Sequence, residues 1–487
     1  MQNLSPKKFL LLNQNPSAKA IISSSVIHTF EDLRKEVLSA ASYFNQQNIS
    51  FGERIGIISQ NDVDYVINIL ALWQIGAVPV PLNTRLTVSE IEDQTLAAGC
   101  SSVLVEKKIR SKVKNLSRKI VDYPFHTYDI DSFSGSEELK VSDHAAIIFT
   151  SGSTNKSKGI ILSFGSLYNS ALNSNQLLRY TRSDRWLASL PFYHIGGFSI
   201  ITRSVLFGIP LIVPDSLSVE HLINSLNNYQ PTFISLVTAQ LKKIVDENIS
   251  PNPELKNCLI GGGFSDQELI KKAYNLGWPI NLVYGSTETA SFVTALLKDE
   301  LMIKPNSVGC AIPTNRIRIT DDGDNELKPF EIGEVAVQSN AIMSGYLNQD
   351  ETNRAMKNGF YYTGDMGYLD EDGYLFIEGR KNFLISTGGE NVNPIEVEKA
   401  LLQHSLIAEV AVFPLKEKEW GEIIAAAVVL KNKLDELTYD ELKLFLTDRI
   451  SGFKIPKKIF FADQLPKTEL GKIEKDKLIH RYRLTSL

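Results

Sequence analysis

The chain has 487 residues, 43% hydrophobic and 22% charged, with a formal net charge of −5. That length exceeds one ordinary core, so two or more domains are expected. Interspersed acids and bases at a mildly negative balance exclude a general nucleic-acid binder. Cys100, Cys258 and Cys310 form no metal-spaced pair, which fits thiols kept reduced in a cytosol. The apolar run Phe9 to Leu12 is too short for a signal-peptide core. The most apolar window, Val66 to Leu82, is broken by Asn68, Gln74, Gly76 and two prolines, so it reads as a helix and a strand and not as a membrane span. By elimination a cytoplasmic protein is expected.

In chain order, Thr29 to Phe44 has helical periodicity, Arg54 to Ser59 reads as a strand, Val63 to Ile75 as a helix and Val78 to Pro81 as a strand. The alternation predicts layered α/β structure with parallel strands. Ile147 to Phe149 is a further buried strand, and it runs into Thr150, Ser151, Gly152, Ser153 and Thr154. Backbone amides and hydroxyls with little bulk around them, followed by Lys156 and Lys158, suit a polyphosphate, although no Walker pattern occurs. Trp186 to Leu190 (strand), Phe198 to Phe207 (helix) and Leu211 to Val213 (strand) resume the alternation. Leu259 to Ile260 precedes Gly261, Gly262 and Gly263, and Ile280 to Val283 precedes Tyr284-Gly285-Ser286-Thr287-Glu288-Thr289. Three loops that each follow an apolar strand are expected to converge on one pocket.

After Pro305, short strands with turn signals predict a small antiparallel β unit. The stretch Glu378-Gly379-Arg380-Lys381-Asn382 then precedes a segment with its own strand and helix signals. The expected division is a large domain, residues 1–379, and a small mobile α+β domain, residues 380–487.

The residues suggest roles for a nucleotide. Tyr284 offers an aromatic face for adenine, Glu288 a carboxylate for a phosphate-bound magnesium, and Asp365 in Thr363-Gly364-Asp365 an acceptor for two ribose hydroxyls. The order of these motifs resembles that of the ANL superfamily, which holds acyl-CoA synthetases, peptide-synthetase adenylation domains and luciferases. The family's TSGTTGKPKG stands here as TSGSTNKSKG, with Asn155 for a glycine and Ser157 for a proline. The resemblance implies that Thr150–Thr154 and Lys158 cradle ATP phosphates, that Gly261–Gly263 and Tyr284–Thr287 line the adenine side, and that Thr154 and Glu288 sit near the metal. It assigns Asp365 and Arg380 to ribose and phosphate. Gly388 and Gly389, in Thr387-Gly388-Gly389-Glu390-Asn391, match the loop that lines the CoA thiol channel. Lys472, in Pro466-Lys467-Thr468-Glu469-Leu470-Gly471-Lys472, matches the catalytic lysine of adenylation. Because that lysine and the glycine loop share one small domain yet serve different half-reactions, the domain is expected to rotate about a hinge at Asn382.

Trp186 to Gly208, with Ser163-Phe164-Gly165-Ser166 and Lys418-Glu419-Trp420-Gly421, resembles the 2-succinylbenzoate–CoA ligase subgroup. Phe264, Ser286 and Phe292 depart from its usual Pro, Met and Gln. The resemblance implies ATP, Mg²⁺, CoA and a small carboxylic acid as partners, with His194 as a contact to that acid; Thr238 and Ser291 are further candidates, whose hydroxyls could hold a distal carboxylate. A ligase for fatty or aryl acids and a stand-alone adenylation domain loading a carrier protein stay open, and a homodimer is among the assemblies allowed. A non-catalytic scaffold is disfavoured by intact Lys472, Asp365 and Glu288.

Overall fold

The computed structural model describes residues 14–123, 139–150, 157–261, 267–380, 385–392, 394–417, 421–432, 436–466, 473 and 475–483. Ser151–Lys156, Gly262–Phe264, Lys381, Asn382, Trp420 and Lys472 therefore lie outside the described residues.

The early alternation folds as expected. Arg54–Ile58 pairs in parallel with Val78–Pro81 and Ser102–Glu106, and Ser102–Glu106 with Lys119–Tyr123. The helix Val63–Gln74 is buried without a break from Tyr65 to Trp73, because it lies between layers and has no solvent face. Asp62 caps its start by accepting from the Tyr65 amide, which satisfies one of the orphan donors of the first turn.

The largest sheet changes character midway. Trp186–Leu187, Phe233–Leu236, Asn257–Ile260 and Ile280–Ser286 run parallel. Ser291–Leu296, Ser307–Ala311, Tyr374–Arg380, Phe360–Leu369, Gly333–Gln338 and Arg316–Thr320 continue it antiparallel. The antiparallel unit expected after Pro305 is thus joined to the parallel half through Ser291–Leu296 and Ser307–Ala311. Tyr284 and Gly285 sit at the changeover, where a bulge shifts the register. A Cβ on Gly285 would collide with the backbone of Ser291 and Phe292, so only glycine fits there. The helix expected from Phe198 begins at Ile195. Gly196 and Gly197 disguise its start: a Cβ on Gly197 would strike the backbone of Pro191.

The C-terminal part is a separate five-stranded sheet containing Ile385–Thr387, Glu390–Val392, Ile407–Glu417, Gly421–Leu430 and Lys458–Phe461. Side chains of Ile407–Glu417 alternate between faces. Val410 and Val412 pack with Val397, Leu401, Leu442 and Leu446, while Ala411, Phe413 and Leu415 pack with Leu478. Helices therefore cover both faces, as an α+β domain requires. Among the described residues no helix is long and apolar enough to cross a membrane.

Candidate active site

A cleft of about 2970 Å³ opens at the changeover in the large sheet and is lined by both parts of the chain. Thr150, Lys158, His194, Thr238, Gly261, Tyr284–Glu288, Ser291, Asp365, Gly388 and Gly389 all border it. Residues spread over about half of the chain thus meet at one place.

Thr150 ends the strand His144–Thr150, and Lys158 begins its antiparallel neighbour Lys158–Ser163. Lys158 Nζ lies 3.5 Å from Glu351 Oε1 and 5.1 Å from the centre of the Tyr346 ring. The Tyr284 hydroxyl donates to Asp365 Oδ2 at 2.7 Å, so the residues expected at adenine and ribose touch. Arg380 stands opposite Asp365 in the sheet register. Glu288 Oε1 accepts from the Tyr346 hydroxyl at 2.9 Å. Among the described residues no group of three or more His, Cys, Asp or Glu side chains could hold a metal. Glu288, a carboxylate bordering the cleft, fits magnesium carried in on phosphates, which takes one or two protein carboxylates.

Gly388 and Gly389, at φ 57° and 83°, turn Ile385–Thr387 back into Glu390–Val392. Positive φ at both central residues is what a tight hairpin turn of this hand demands. The turn reaches the large domain, where a Cβ on Gly389 would touch Val237. Beside it, Glu390 Oε2 is 3.2 Å from His194 Nε2, and Glu390 Oε1 is 3.3 Å from Asn83 Nδ2 and 3.8 Å from an Arg85 nitrogen. Burial by itself would raise this carboxyl; the His194 and Arg85 charges and the hydrogen bonds outweigh it and hold Glu390 below its ordinary range. His194 is thus a contact between the two parts as well as a wall of the cleft.

A second contact lies further out. Lys454 Nζ is 2.8 Å from Glu90 Oε1 and 2.8 Å from Glu396 Oε1, and Ser451 also donates to Glu90. Burial opposes both charges. The two glutamates nevertheless hold Lys454 above its ordinary pKa, and Lys454 holds Glu90 below its own.

Sequence reasoning missed Arg203. It is 2% exposed, on the helix Ile195–Phe207, and borders the cleft. It donates to the hydroxyls of Ser174 (3.1 Å), Ser199 (3.1 Å) and Ser291 (3.0 Å). Its guanidinium lies 5.4 Å from the Trp186 ring centre and 5.1 Å from that of Phe292. Burial pushes its pKa down, yet a guanidinium stays charged at neutral pH. Among the described residues no carboxylate forms an ion pair with it. The signal was present in the sequence as one charge inside an otherwise uncharged helix. Ser291, expected to hold a distal carboxylate, contacts Arg203 and adopts φ 119°, a strained backbone for a serine.

Comparison with known proteins agrees with this geometry. The AMP-binding enzyme family matches residues 11–347, and the AMP-binding enzyme C-terminal domain matches residues 396–472. The 2-succinylbenzoate–CoA ligase of Bacillus cereus (strain ZK / E33L) is 31% identical over 468 residues, 94% of each chain. That of Bacillus subtilis (strain 168) is 31% identical over 472 residues, 95% of each. Among solved structures, a double mutant of the o-succinylbenzoate CoA synthetase from B. subtilis, bound to its product analogue, superposes with a TM-score of 0.90 at 30% identity, covering 98% of this chain and 99% of that one. The same enzyme with its acyl-adenylate intermediate gives 0.73 at 29% identity, covering 98% of each. Identity and coverage hardly change between the two, so this chain superposes better on the product-analogue complex than on the acyl-adenylate complex. A family model that matches most of the chain, and relatives matched along nearly its whole length, make this chain a member of the AMP-binding enzyme family.

Proposed function

We propose that the chain is an ATP-dependent acid–CoA ligase acting on 2-succinylbenzoate, with residues 1–379 binding ATP and acid and residues 380–487 moving between half-reactions. The observation that carries the choice of acid is Arg203. A buried cation whose protein partners are neutral hydroxyls calls for an anionic ligand group. The reacting carboxylate cannot be that group, since it is consumed on activation. An acid with a second carboxylate, such as 2-succinylbenzoate, supplies it, and Phe292, which borders the cleft, offers an apolar wall for an aryl ring.

In the first step a carboxylate oxygen attacks the α-phosphorus of ATP, and the bond to pyrophosphate breaks. In this reading Thr150 and Lys158, which border the cleft, bind the phosphates, and Tyr284 and Asp365 bind adenosine. Magnesium, when bound, offsets phosphate charge, and Glu288 would hold it. In the second step the CoA thiol attacks the acyl carbon and AMP leaves. Gly388 and Gly389, bordering the cleft, leave room for the pantetheine arm. Water-soluble substrates and free thiols support a cytoplasmic location.

Pyrophosphate release with a panel of acids, with and without CoA, tests this reading. 2-Succinylbenzoate should exceed benzoate and fatty acids in kcat/KM by roughly 100-fold or more, because a site built for a polar group rejects analogues that lack it. Equal rates with unsubstituted benzoate would remove 2-succinylbenzoate as the substrate. Turnover to acyl-AMP without any CoA-dependent second step would favour a carrier-protein thiol.

The Lys454 contact gives a second test, of the domain movement. It ties the small domain to the large one in the arrangement that brings the glycine turn to the cleft. Lys454→Met would leave Glu90 buried without its cation, at a cost of about 3 kcal/mol or more. Single-turnover thioester formation from pre-made acyl-AMP should fall about 10-fold or more, on the same penalty, and adenylation should not fall. Equal loss in both halves would argue against the movement. Because Glu90 is lowered from 4.5 and Lys454 raised from 10.5, the contact is complete between those values. It weakens only as pH falls through the lowered glutamate pKa or rises through the raised lysine pKa.

A further inference from the structure

Glu288 is held by a short segment far from it in sequence. The Met343 amide donates to the Glu288 backbone carbonyl at 2.7 Å, and the Tyr346 hydroxyl donates to its carboxylate at 2.9 Å. Tyr346 is itself fixed. Gly345 and Tyr346 pair antiparallel with Ile161 and Ile160, and the Leu347 amide donates to Gly159 O at 2.8 Å. That partner strand, Lys158–Ser163, leads out of the loop expected to cradle phosphates. The Tyr346 amide donates to Thr352 Oγ1 at 2.9 Å, and its ring is 6% exposed. Tyr361, also buried, borders the same cleft as Tyr346.

Phenylalanine would fill the same volume as Tyr346. A buried phenol is costly unless bonded, and this one is spent on a carboxylate that borders the cleft. A carboxylate has two oxygens; fixing Oε1 aims the other. We infer that Tyr346 is a positioning residue that presents Glu288 to a phosphate-bound divalent cation, tying the metal carboxylate to the strand that follows the phosphate loop. The inference rests on the reading of Glu288 as the cation's protein ligand. Such outer partners of a metal ligand typically matter by 10–100-fold in metal affinity.

The test is calorimetric binding of α,β-methylene-ATP to the full chain, with and without Mn²⁺ and without acid, for the wild type, Tyr346→Phe, Glu288→Gln and the double variant. AMP binding serves as the check that each variant is folded. Tyr346→Phe should bind the metal-free nucleotide as the wild type does, and lose about 10-fold of the gain conferred by Mn²⁺. The double variant should be no worse than Glu288→Gln alone. If Tyr346→Phe keeps the Mn²⁺ gain within twofold while Glu288→Gln loses it, Tyr346 does not position the ligand. If Glu288→Gln also keeps the gain, the metal reading of Glu288 fails and takes this inference with it.

Discussion

Alanine at Lys472 is expected to slow acyl-AMP formation by on the order of 100-fold or more while leaving ATP affinity much less affected. As the acid attacks, negative charge shifts among the carboxylate, the α-phosphate and the leaving pyrophosphate. An ammonium that meets this charge only as it develops stabilises the transition state more than bound ATP. In the proposed division Lys472 belongs to the same small domain as Gly388 and Gly389, and in the arrangement described those glycines border the cleft. Under the proposed movement the lysine would serve the other orientation. Thioester formation from pre-made acyl-AMP should survive in Lys472→Ala. Rapid-quench measurement of each half-reaction decides the matter, and equal damage to both would sink the role.

What the sequence reveals here is mostly local. Strand and helix periodicities lie within a dozen residues, so Val63–Gln74 and Val78–Pro81 are legible within a residue of their observed bounds. The order of the glycine- and hydroxyl-rich loops is likewise local, and Thr150, Tyr284, Glu288 and Asp365 do border one cleft. Partnership is another matter. The alternation after Pro305 marks strands without saying that they extend the parallel sheet. Lys454 meets Glu90 across 364 positions, and nothing near either residue announces the other. Arg203 was passed over for a related reason: its meaning lies in serines 29 and 88 positions away.

Arg203→Met should discriminate between acids. If the guanidinium binds a second carboxylate, its removal leaves that anion buried and unpaired, a loss of about 2–5 kcal/mol. kcat/KM for adenylation of 2-succinylbenzoate should then drop by on the order of 100-fold or more. Benzoate, which has no second carboxylate, should be turned over as well as before or better. Stability is the internal control. Among the described residues Arg203 holds neutral hydroxyls and two aromatic faces, so replacing a buried cation with an apolar chain of similar length should not lower the melting temperature. Arg203→Lys keeps the charge but loses the fork that spans three serines, and should fall between the two. A purely structural arginine predicts the opposite pattern: Arg203→Met would melt earlier and lose activity toward every acid by the same factor.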